Sequence, residues 1–237
     1  MKVLVSVLCY NTCDATKAVL AKFPEQRGYD VLVVNDGSTD GTRDVLKEFD
    51  FNAVEHPTNR GVGGALKTAI GYGIENHYDI IAIMAGNGKD DPREIPNLVR
   101  PILEHGVDYV QGSRFLEGGK WDNLPLSRYI MIRGYALLLS VLLRTRITDT
   151  LNGFRAYRLS IFNDERINIW QDWLEHYELE TYLSLKVLTC GFKYCEVAVS
   201  KLYPAKGKGV KYSHIRPFVD WWSIIRPLFL LYLRIKK

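Results

Sequence analysis

The chain has 237 residues, of which 47% are hydrophobic and 24% are charged. This composition is ordinary for a soluble globular protein, and the sequence contains neither a repeat nor a low-complexity linker. The length accommodates one large α/β domain, or one domain with an appendage. The four cysteines lack metal-site spacing, and the apolar run in residues 1–8 is too short for a signal peptide. We therefore expect buried thiols in a reducing compartment.

Apolar, β-branched runs alternate with helical segments through the first half of the chain. The runs predict strands over residues 2–8, 31–34, 51–55, 79–84 and 107–110. Helical spacing and capping residues predict helices that end near residue 23, span 43–49, follow the glycines at 61–64, and span 93–105. Asp14 or Thr16 is the expected cap of the first helix. This order predicts an α/β fold, with a mostly parallel sheet and helices on both faces.

The second half contains longer apolar helices. In chain order the sequence predicts a loop over 111–121, an apolar helix over 126–143, a polar turn over 149–155, a helix over 173–188 and a strand over 192–199. An apolar segment over 218–233 follows. We therefore expect a main domain at residues 1–212 and an apolar, basic helical tail at 213–237.

Charge is distributed unevenly between the body and the tail. The net charge is +4, yet residues 201–237 contain nine Lys or Arg and a single acid, Asp220. The tail therefore suits an anionic partner, such as the surface of a membrane. In that arrangement the aromatic side chains lie at headgroup level and the last basic residues bind lipid phosphates; the residues concerned are Trp221, Trp222, Tyr232, Arg234, Lys236 and Lys237. The alternative is a helix packed on the body or in a dimer.

Polar turns follow the second and third predicted strands. Asn35-Asp36-Gly37-Ser38 lies at the carboxyl end of a strand, where open α/β sheets bind nucleotides. The Asp36 carboxylate could accept a hydrogen bond from a base N–H or a ribose hydroxyl; the alternative is an ordinary solvated turn. Glycines 61, 63 and 64 precede a helix and could let a phosphate or sugar approach backbone N–H groups.

With these segments in order, the chain resembles the family 2 glycosyltransferases, and among them the dolichyl- and polyprenyl-phosphate mannose or glucose synthases. The resemblance covers roughly residues 3–213. The segments that carry it are Val-Leu-Cys-Tyr-Asn (7–11), Val-Asn-Asp-Gly-Ser-Thr-Asp-Gly-Thr (34–42), Asn-Arg-Gly-Val-Gly-Gly-Ala (59–65), Gly-Ser-Arg-Phe (112–115), Pro-Leu-Ser-Arg (125–128) and Asn-Gly-Phe-Arg (152–155). It implies a GT-A fold, inverting transfer and, often, a lipid phosphate acceptor.

The resemblance also implies roles for individual residues. Arg114 and Arg128 would hold phosphate of the donor product or the acceptor, since the planar guanidinium binds phosphate oxygens bidentately. Asp149 would lie in the acceptor region. The nucleotide-sugar would be bound by Tyr10, Asn11, Asp36 and Gly63. Asn87 and Lys89 are further candidates for binding it, because they lie in the polar segment after the fourth predicted strand.

The sequence departs from the family where Asp-x-Asp usually binds Mg²⁺ or Mn²⁺ on the donor diphosphate. It reads Ala85-Gly86-Asn87, which leaves Asn87 as a single, weak metal ligand. Metal use is therefore left open, and the enzyme could be metal-independent. We expect Lys89 to replace part of the metal's charge. The alternative is that Lys89 pairs with Asp90 or Asp91, and that these two acids bind a displaced ion.

The sequence thus predicts transfer of a sugar from a nucleoside diphosphate to a polyprenyl or dolichyl phosphate, or to a membrane-linked glycan, at the cytoplasmic membrane face. A phosphate acceptor is already ionised, whereas a hydroxyl acceptor needs a general base, for which Asp91 or Asp149 is available. One alternative is a catalytically inactive nucleotide-sugar-binding relative that serves as a glycan-assembly partner. The expected partners are the donor, the acceptor, an anionic membrane surface and, as an option, a second copy of the chain; no nucleic-acid partner is expected.

Overall fold

The longer apolar runs of the sequence form the central strands of a sheet that is buried on both faces. The computed structural model describes residues 1–203 and 219–236. Over these ranges the strands are β1 (Val3–Cys9), β2 (Asp30–Asn35), β3 (Asn52–Glu55), β4 (Ile80–Ala85), β5 (Tyr109–Ser113), β6 (Lys120–Asp122), β7 (Arg155–Arg158), β8 (Tyr194–Ala198) and β9 (Ser200–Leu202). One sheet has the order β3-β2-β1-β4-β7-β5-β8, and β6 pairs with β9.

The large sheet is parallel apart from β7, which lies antiparallel between β4 and β5. The predicted mostly parallel sheet is therefore confirmed. The prediction of only a polar turn at residues 149–155 is incomplete, because a strand begins at Arg155. The strand has four residues, Arg-Ala-Tyr-Arg, which is too short to give a periodic signal.

Helices cover both faces of the sheet, as predicted. They are α1 (Cys13–Leu20), α2 (Thr42–Leu46), α3 (Gly61–Glu75), α4 (Ile95–His105), α5 (Leu126–Leu143), α6 (Glu178–Thr189) and α7 (Val219–Tyr232). Apolar side chains of α1 and α4 form one core with β1, β2 and β4. Side chains of α3 and α6 form a second core on the opposite face. The result is three layers, with the sheet in the middle.

Three predicted helix limits are wrong. Helix α1 ends at Leu20, α2 ends at Leu46, and α6 begins at Glu178, so each is shorter than its sequence pattern indicates. The expected caps Asp14 and Thr16 lie inside α1. The backbone N–H of Cys13 donates instead to the Asp40 carboxylate, at 3.0 Å. A loop distant in sequence thus supplies this cap, which a local pattern does not reveal.

Helices α5, α6 and α7 share a third apolar cluster. It contains Tyr135 and Leu139 of α5, Leu185 of α6 and Ile224 of α7. An ion pair of 2.6 Å between Arg226 and the buried Glu178 also joins α7 to α6. One face of α7 therefore packs on the body. The predicted domain boundary at residues 212 and 213 lies outside the described residues.

The opposite faces of α5 and α7 expose many large apolar side chains. On α5 these are Leu126, Ile130, Leu137, Leu138, Val141 and Leu142. On α7 they are Trp222, Phe229 and Tyr232. By length and composition α5 could cross a membrane, and it is the single helix of residues 1–203 and 219–236 that meets this test. Its other face is buried in the domain, with Ile132 and Leu139 at 0% exposure. Such a helix can contact a bilayer along one side only.

Candidate functional site

The candidate site lies at the carboxyl ends of β1, β2 and β4, which are neighbours in the sheet. Tyr10 and Asn11 follow β1, Asp36 follows β2, and Asn87 follows β4 by two residues. The Asn11 side chain accepts a hydrogen bond of 2.7 Å from the backbone N–H of Thr39, which joins the loops after β1 and β2. Asn11 has a φ of 49°, a left-handed conformation that Asn tolerates. The fold thus brings together predicted nucleotide residues from three separate segments.

The Asp36 carboxylate is almost fully buried and has several partners. It accepts hydrogen bonds from the backbone N–H of Arg60 at 2.8 Å and from Asn59 Nδ2 at 2.8 Å. His56 Nδ1 lies 2.7 Å away from it. The carboxylate therefore holds the loop at residues 56–60 against the end of β2, in addition to any contact it makes with a nucleotide. His56 is a site residue that the sequence analysis missed.

The glycines at the start of α3 serve packing within the protein. A Cβ on Gly63 would overlap the carbonyl oxygen of Leu174, and the N–H of Gly64 donates to the carbonyl of Glu175 at 3.0 Å. The expectation that these glycines admit a phosphate or sugar is therefore corrected for Gly63, because the segment 174–176 occupies that approach. The close approach of the backbone at residues 174–176 explains why Gly63 and Gly64 have no side chain.

The turn after β4 offers few ligands for a divalent ion. Ala85 has no donor atom, and Asn87 contributes a neutral amide oxygen, which already accepts from the Lys89 N–H at 3.3 Å. No group of three or more His, Cys, Asp or Glu side chains suited to a metal exists among residues 1–203 and 219–236. Mg²⁺ is usually held by one or two carboxylates together with phosphate oxygens. The residues of this turn do not fit that pattern.

The two acids that follow this turn are paired with cations other than Lys89. The fully buried Asp90 carboxylate lies 2.6 Å from Lys201 Nζ. Asp91 accepts from the backbone N–H of Arg93 at 3.0 Å and pairs with its guanidinium at 2.5 Å. These hydrogen bonds from Arg93 lower the pKa of Asp91. Asp91 is therefore a weak base, and it caps the short 3₁₀ helix at Pro92–Glu94.

Arg114 and Asp149 form an ion pair that is closed to solvent. The guanidinium donates to both carboxylate oxygens, at 2.6 and 2.9 Å, and the side chains are 1% and 0% exposed. The remaining Arg114 nitrogen, Nη1, donates to the Tyr203 hydroxyl at 2.9 Å. Both residues were predicted to act on substrate. In this arrangement Arg114 positions Tyr203, and Asp149 has no exposed oxygen with which to accept a proton.

Two further cations converge on the ring of Tyr203. Lys89 Nζ lies 5.1 Å from the ring centroid and Arg128 Cζ lies 5.7 Å from it, distances at which cations interact with an aromatic ring. Burial, together with the charges of Lys201 and Arg128, lowers the pKa of Lys89 to about 8. Lys89, Arg128 and Tyr203 form what we call the cation cluster, at the edge next to the turn after β4.

Sequence reasoning missed three contributors to the site, His56, Lys201 and Tyr203. Lys201 lies in β9, and Tyr203 comes directly after it. Strand β9 pairs with β6 outside the large sheet, so the order of the main strands does not predict where Lys201 and Tyr203 lie. Their partners, Asp90 and Arg114, are 111 and 89 residues away, so no local spacing reveals the contacts.

Comparison with known proteins identifies relatives. The sequence profile of Glycosyl transferase family 2 matches residues 5–166. Undecaprenyl-phosphate mannosyltransferase of Micrococcus luteus is 34% identical over 170 residues, which cover 67% of this chain and 67% of that protein. UDP-N-acetylglucosamine–dolichyl-phosphate N-acetylglucosaminyltransferase of Methanococcus voltae is 27% identical over 168 residues, covering 64% of this chain and 67% of that protein.

Solved structures of similar fold also exist. Glucosyl-3-phosphoglycerate synthase from Mycobacterium tuberculosis, crystallised with Mn²⁺, uridine diphosphate and phosphoglyceric acid, superimposes with a TM-score of 0.69. The superposition covers 98% of this chain and 78% of that chain, at 16% sequence identity. At this identity the likeness establishes the fold alone. It confirms the predicted α/β arrangement of the GT-A type.

Proposed function

Because the chain belongs to glycosyl transferase family 2 and is a glycosyltransferase, we propose that it transfers a sugar from a nucleoside diphosphate to a polyprenyl phosphate. The names of the relatives from Micrococcus luteus and Methanococcus voltae support a lipid phosphate as the acceptor. The donor would lie at the carboxyl ends of β1, β2 and β4, where its base and ribose come close to Tyr10 and Asp36.

One observation carries the choice of acceptor: α5 combines an exposed apolar face with a residue of the cation cluster. Arg128 lies in the first turn of α5, between the exposed side chains of Leu126 and Ile130. No carboxylate of the described residues lies within salt-bridge distance of Arg128. A polyprenyl chain could follow the apolar face while its phosphate binds Arg128, since a guanidinium suits phosphate oxygens.

The state of the carboxylates supports an acceptor that needs no general base. Asp149 is closed off by Arg114, and Asp91 is paired with Arg93, so neither is arranged to take a proton from a sugar hydroxyl. A phosphate monoester already carries negative charge at neutral pH and can attack the sugar directly. Asp149 also has no exposed oxygen to act as a nucleophile for a covalent intermediate, and both oxygens of Asp91 accept hydrogen bonds from Arg93.

We therefore infer a single displacement with inversion at the anomeric carbon. An acceptor phosphate oxygen forms the new bond to C1 of the sugar while the bond from C1 to the donor diphosphate breaks. The electron pair of the broken bond leaves with the nucleoside diphosphate. The leaving diphosphate gains negative charge, so nearby positive groups stabilise the transition state.

We also propose that the enzyme lies at the cytoplasmic membrane face, and the same surface supports binding to a membrane. The exposed faces of α5 and α7 are apolar, and Arg133, Arg144 and Arg146 on and after α5 could contact anionic lipids. Arg234 and Lys236, after α7, would add to this attraction. The enzyme would thus bind the membrane peripherally, with the acceptor phosphate at the depth of the headgroups.

The test is a transfer assay with purified protein, undecaprenyl phosphate and labelled GDP-mannose, UDP-glucose or UDP-N-acetylglucosamine. We expect label to enter the lipid phase with one donor, with release of one nucleoside diphosphate per sugar transferred. Undecaprenol without phosphate should accept nothing. Transfer to undecaprenol, or none to the phosphate with any of the three donors, contradicts the proposal.

A variant pair ties the assay to α5. Arg128→Gln should lower lipid transfer by about ten- to a hundredfold, the effect of losing a charged hydrogen bond, while the protein stays folded. Arg100→Gln is the matched control. Arg100 is exposed on α4, and its single ion pair among the described residues is a long surface pair with Glu104, at 3.9 Å. Equal activity of the two variants would show that Arg128 does not bind the acceptor.

A further inference from the structure

The cation cluster lies beside a turn whose residues do not fit a divalent ion. Ala85 and Asn87 supply no carboxylate, and the carboxylates of Asp90 and Asp91 are held by Lys201 and Arg93. These two pairs disfavour the alternative in which Asp90 and Asp91 bind a displaced ion, because both carboxylates already neutralise cations of the protein. The positive charge that a donor diphosphate needs must come from elsewhere at this edge.

We propose that the Lys89 ammonium, supported by Arg128, binds the donor diphosphate directly, so that donor binding needs no divalent ion held by the turn after β4. This inference rests on the proposed function, because it concerns the diphosphate of the same nucleotide-sugar. It deepens that function by naming the residues that recognise the diphosphate.

The backbone fixes Lys89 in place from two sides. Its N–H donates to the Asn87 side chain at 3.3 Å, and its carbonyl accepts from the N–H of Leu202 at 3.0 Å. The turn after β4 is thereby attached to β9, next to Tyr203. Lys89 follows the end of β4 by four residues, in the turn where the family usually carries Asp-x-Asp.

Tyr203 gathers the two cations of the cluster although they repel each other. Its ring attracts both Lys89 and Arg128, and its hydroxyl is held by Arg114. A bound diphosphate would offset the repulsion, since it brings negative charge to a half-buried site where Coulomb interactions are stronger than in water. An ammonium on a flexible stem can contact oxygens of either phosphate as a point charge.

The Lys201–Asp90 pair offsets the charge of the acid nearest in sequence to Lys89. The Asp90 side chain is 0% exposed and lies 2.6 Å from Lys201 Nζ, so its charge is offset within the protein. Without Lys201, a buried carboxylate one residue from Lys89 would compete with the diphosphate for the ammonium. The pair thus keeps the local charge positive, as an anion site requires.

The test measures binding of UDP, GDP and dTDP by calorimetry, in excess EDTA and in Mn²⁺, without any acceptor. In the wild type we expect one diphosphate to bind with similar Kd in both conditions. Lys89→Ala should raise that Kd by about ten- to a hundredfold in EDTA. Lys193→Ala, at the opposite edge of the sheet, is the matched control and should leave it unchanged.

A second variant introduces the two missing carboxylates and removes the charge of Lys89. It tests the inference independently if Lys89→Ala fails to fold. Ala85→Asp with Asn87→Asp and Lys89→Gln should bind the diphosphate well in Mn²⁺ and poorly in EDTA. Wild-type binding that disappears in EDTA while Lys89→Ala binds normally would overturn the inference, as would no binding of any diphosphate. Diphosphate binding that depends on Lys89, without sugar transfer to undecaprenyl phosphate, would instead refute only the proposed acceptor.

Discussion

Replacing Asp149 by Asn separates two roles that the residue could have. The substitution keeps the shape of the side chain and removes its charge. If Asp149 is the closed partner of Arg114, the variant should lose stability. If Asp149 is a general base, the variant should lose turnover and stay nearly as stable as the wild type.

The geometry gives the size of the expected effect. Arg114 donates two hydrogen bonds to Asp149, and neither side chain is more than 1% exposed. Removing one charge of such a buried pair costs about 3–5 kcal/mol, because the other charge stays buried without compensation. At roughly 2–4 °C per kcal/mol for a domain of this size, the Tm should fall by about 6–20 °C.

The assay is urea unfolding and thermal melting of Asp149→Asn beside Asp91→Asn. The control removes the charge of a partly exposed pair and should cost only about 0–1 kcal/mol. Arg114→Met combined with Asp149→Leu should be more stable than the sum of the single losses predicts, because no charge remains buried. A stable Asp149→Asn protein without turnover would refute the reasoning and restore Asp149 as a base.

Two further predictions concern the nucleotide and the membrane. Asp36→Asn should weaken nucleotide binding, measured by calorimetry. It should also lower the free energy of unfolding by about 1–3 kcal/mol, because the carboxylate accepts hydrogen bonds from Asn59 and Arg60. An unchanged affinity in a folded variant would show that Asp36 does not bind the nucleotide. Leu137→Glu, at a position 66% exposed on α5, should reduce co-sedimentation with anionic vesicles without changing Tm. Wild-type binding should fall with added salt, and equal binding to neutral and anionic vesicles would contradict the role of the basic residues.

The sequence predicted the sheet, and it placed the candidate site residues at one edge of that sheet, because both follow from local patterns. Buried apolar runs locate β1, β2 and β4 to within about two residues. Parallel strands then place their carboxyl ends, and hence Tyr10, Asp36 and Asn87, at one edge. The antiparallel β7 was missed because its four residues carry no period, and its place between β4 and β5 is decided by tertiary pairing.

The partners of the site residues could not be predicted in this way. The sequence shows that Asp149 is an acid and that Gly63 lacks a side chain, but it does not show which residues pack against them. The approach comes from segments far away in sequence, Arg114 for Asp149 and Leu174 for Gly63. A residue type therefore predicts which chemistry a position can perform, whereas burial and pairing decide whether the position performs it.

The carboxylates of Asp90, Asp91 and Asp149 are all paired with cations of the protein, which is consistent with a reaction between two anions. A donor diphosphate and an acceptor phosphate must come close, and two unit charges 4 Å apart repel by about 4 kcal/mol at an effective dielectric constant of about 20. Exposed carboxylates at this edge would add to that repulsion. In the structure Asp90, Asp91 and Asp149 are each paired with a cation, while Lys89 and Arg128 lie on the ring of Tyr203. If the acceptor is a phosphate, as proposed, this distribution would lower the electrostatic barrier to binding both substrates at once, whereas a hydroxyl acceptor would not require it.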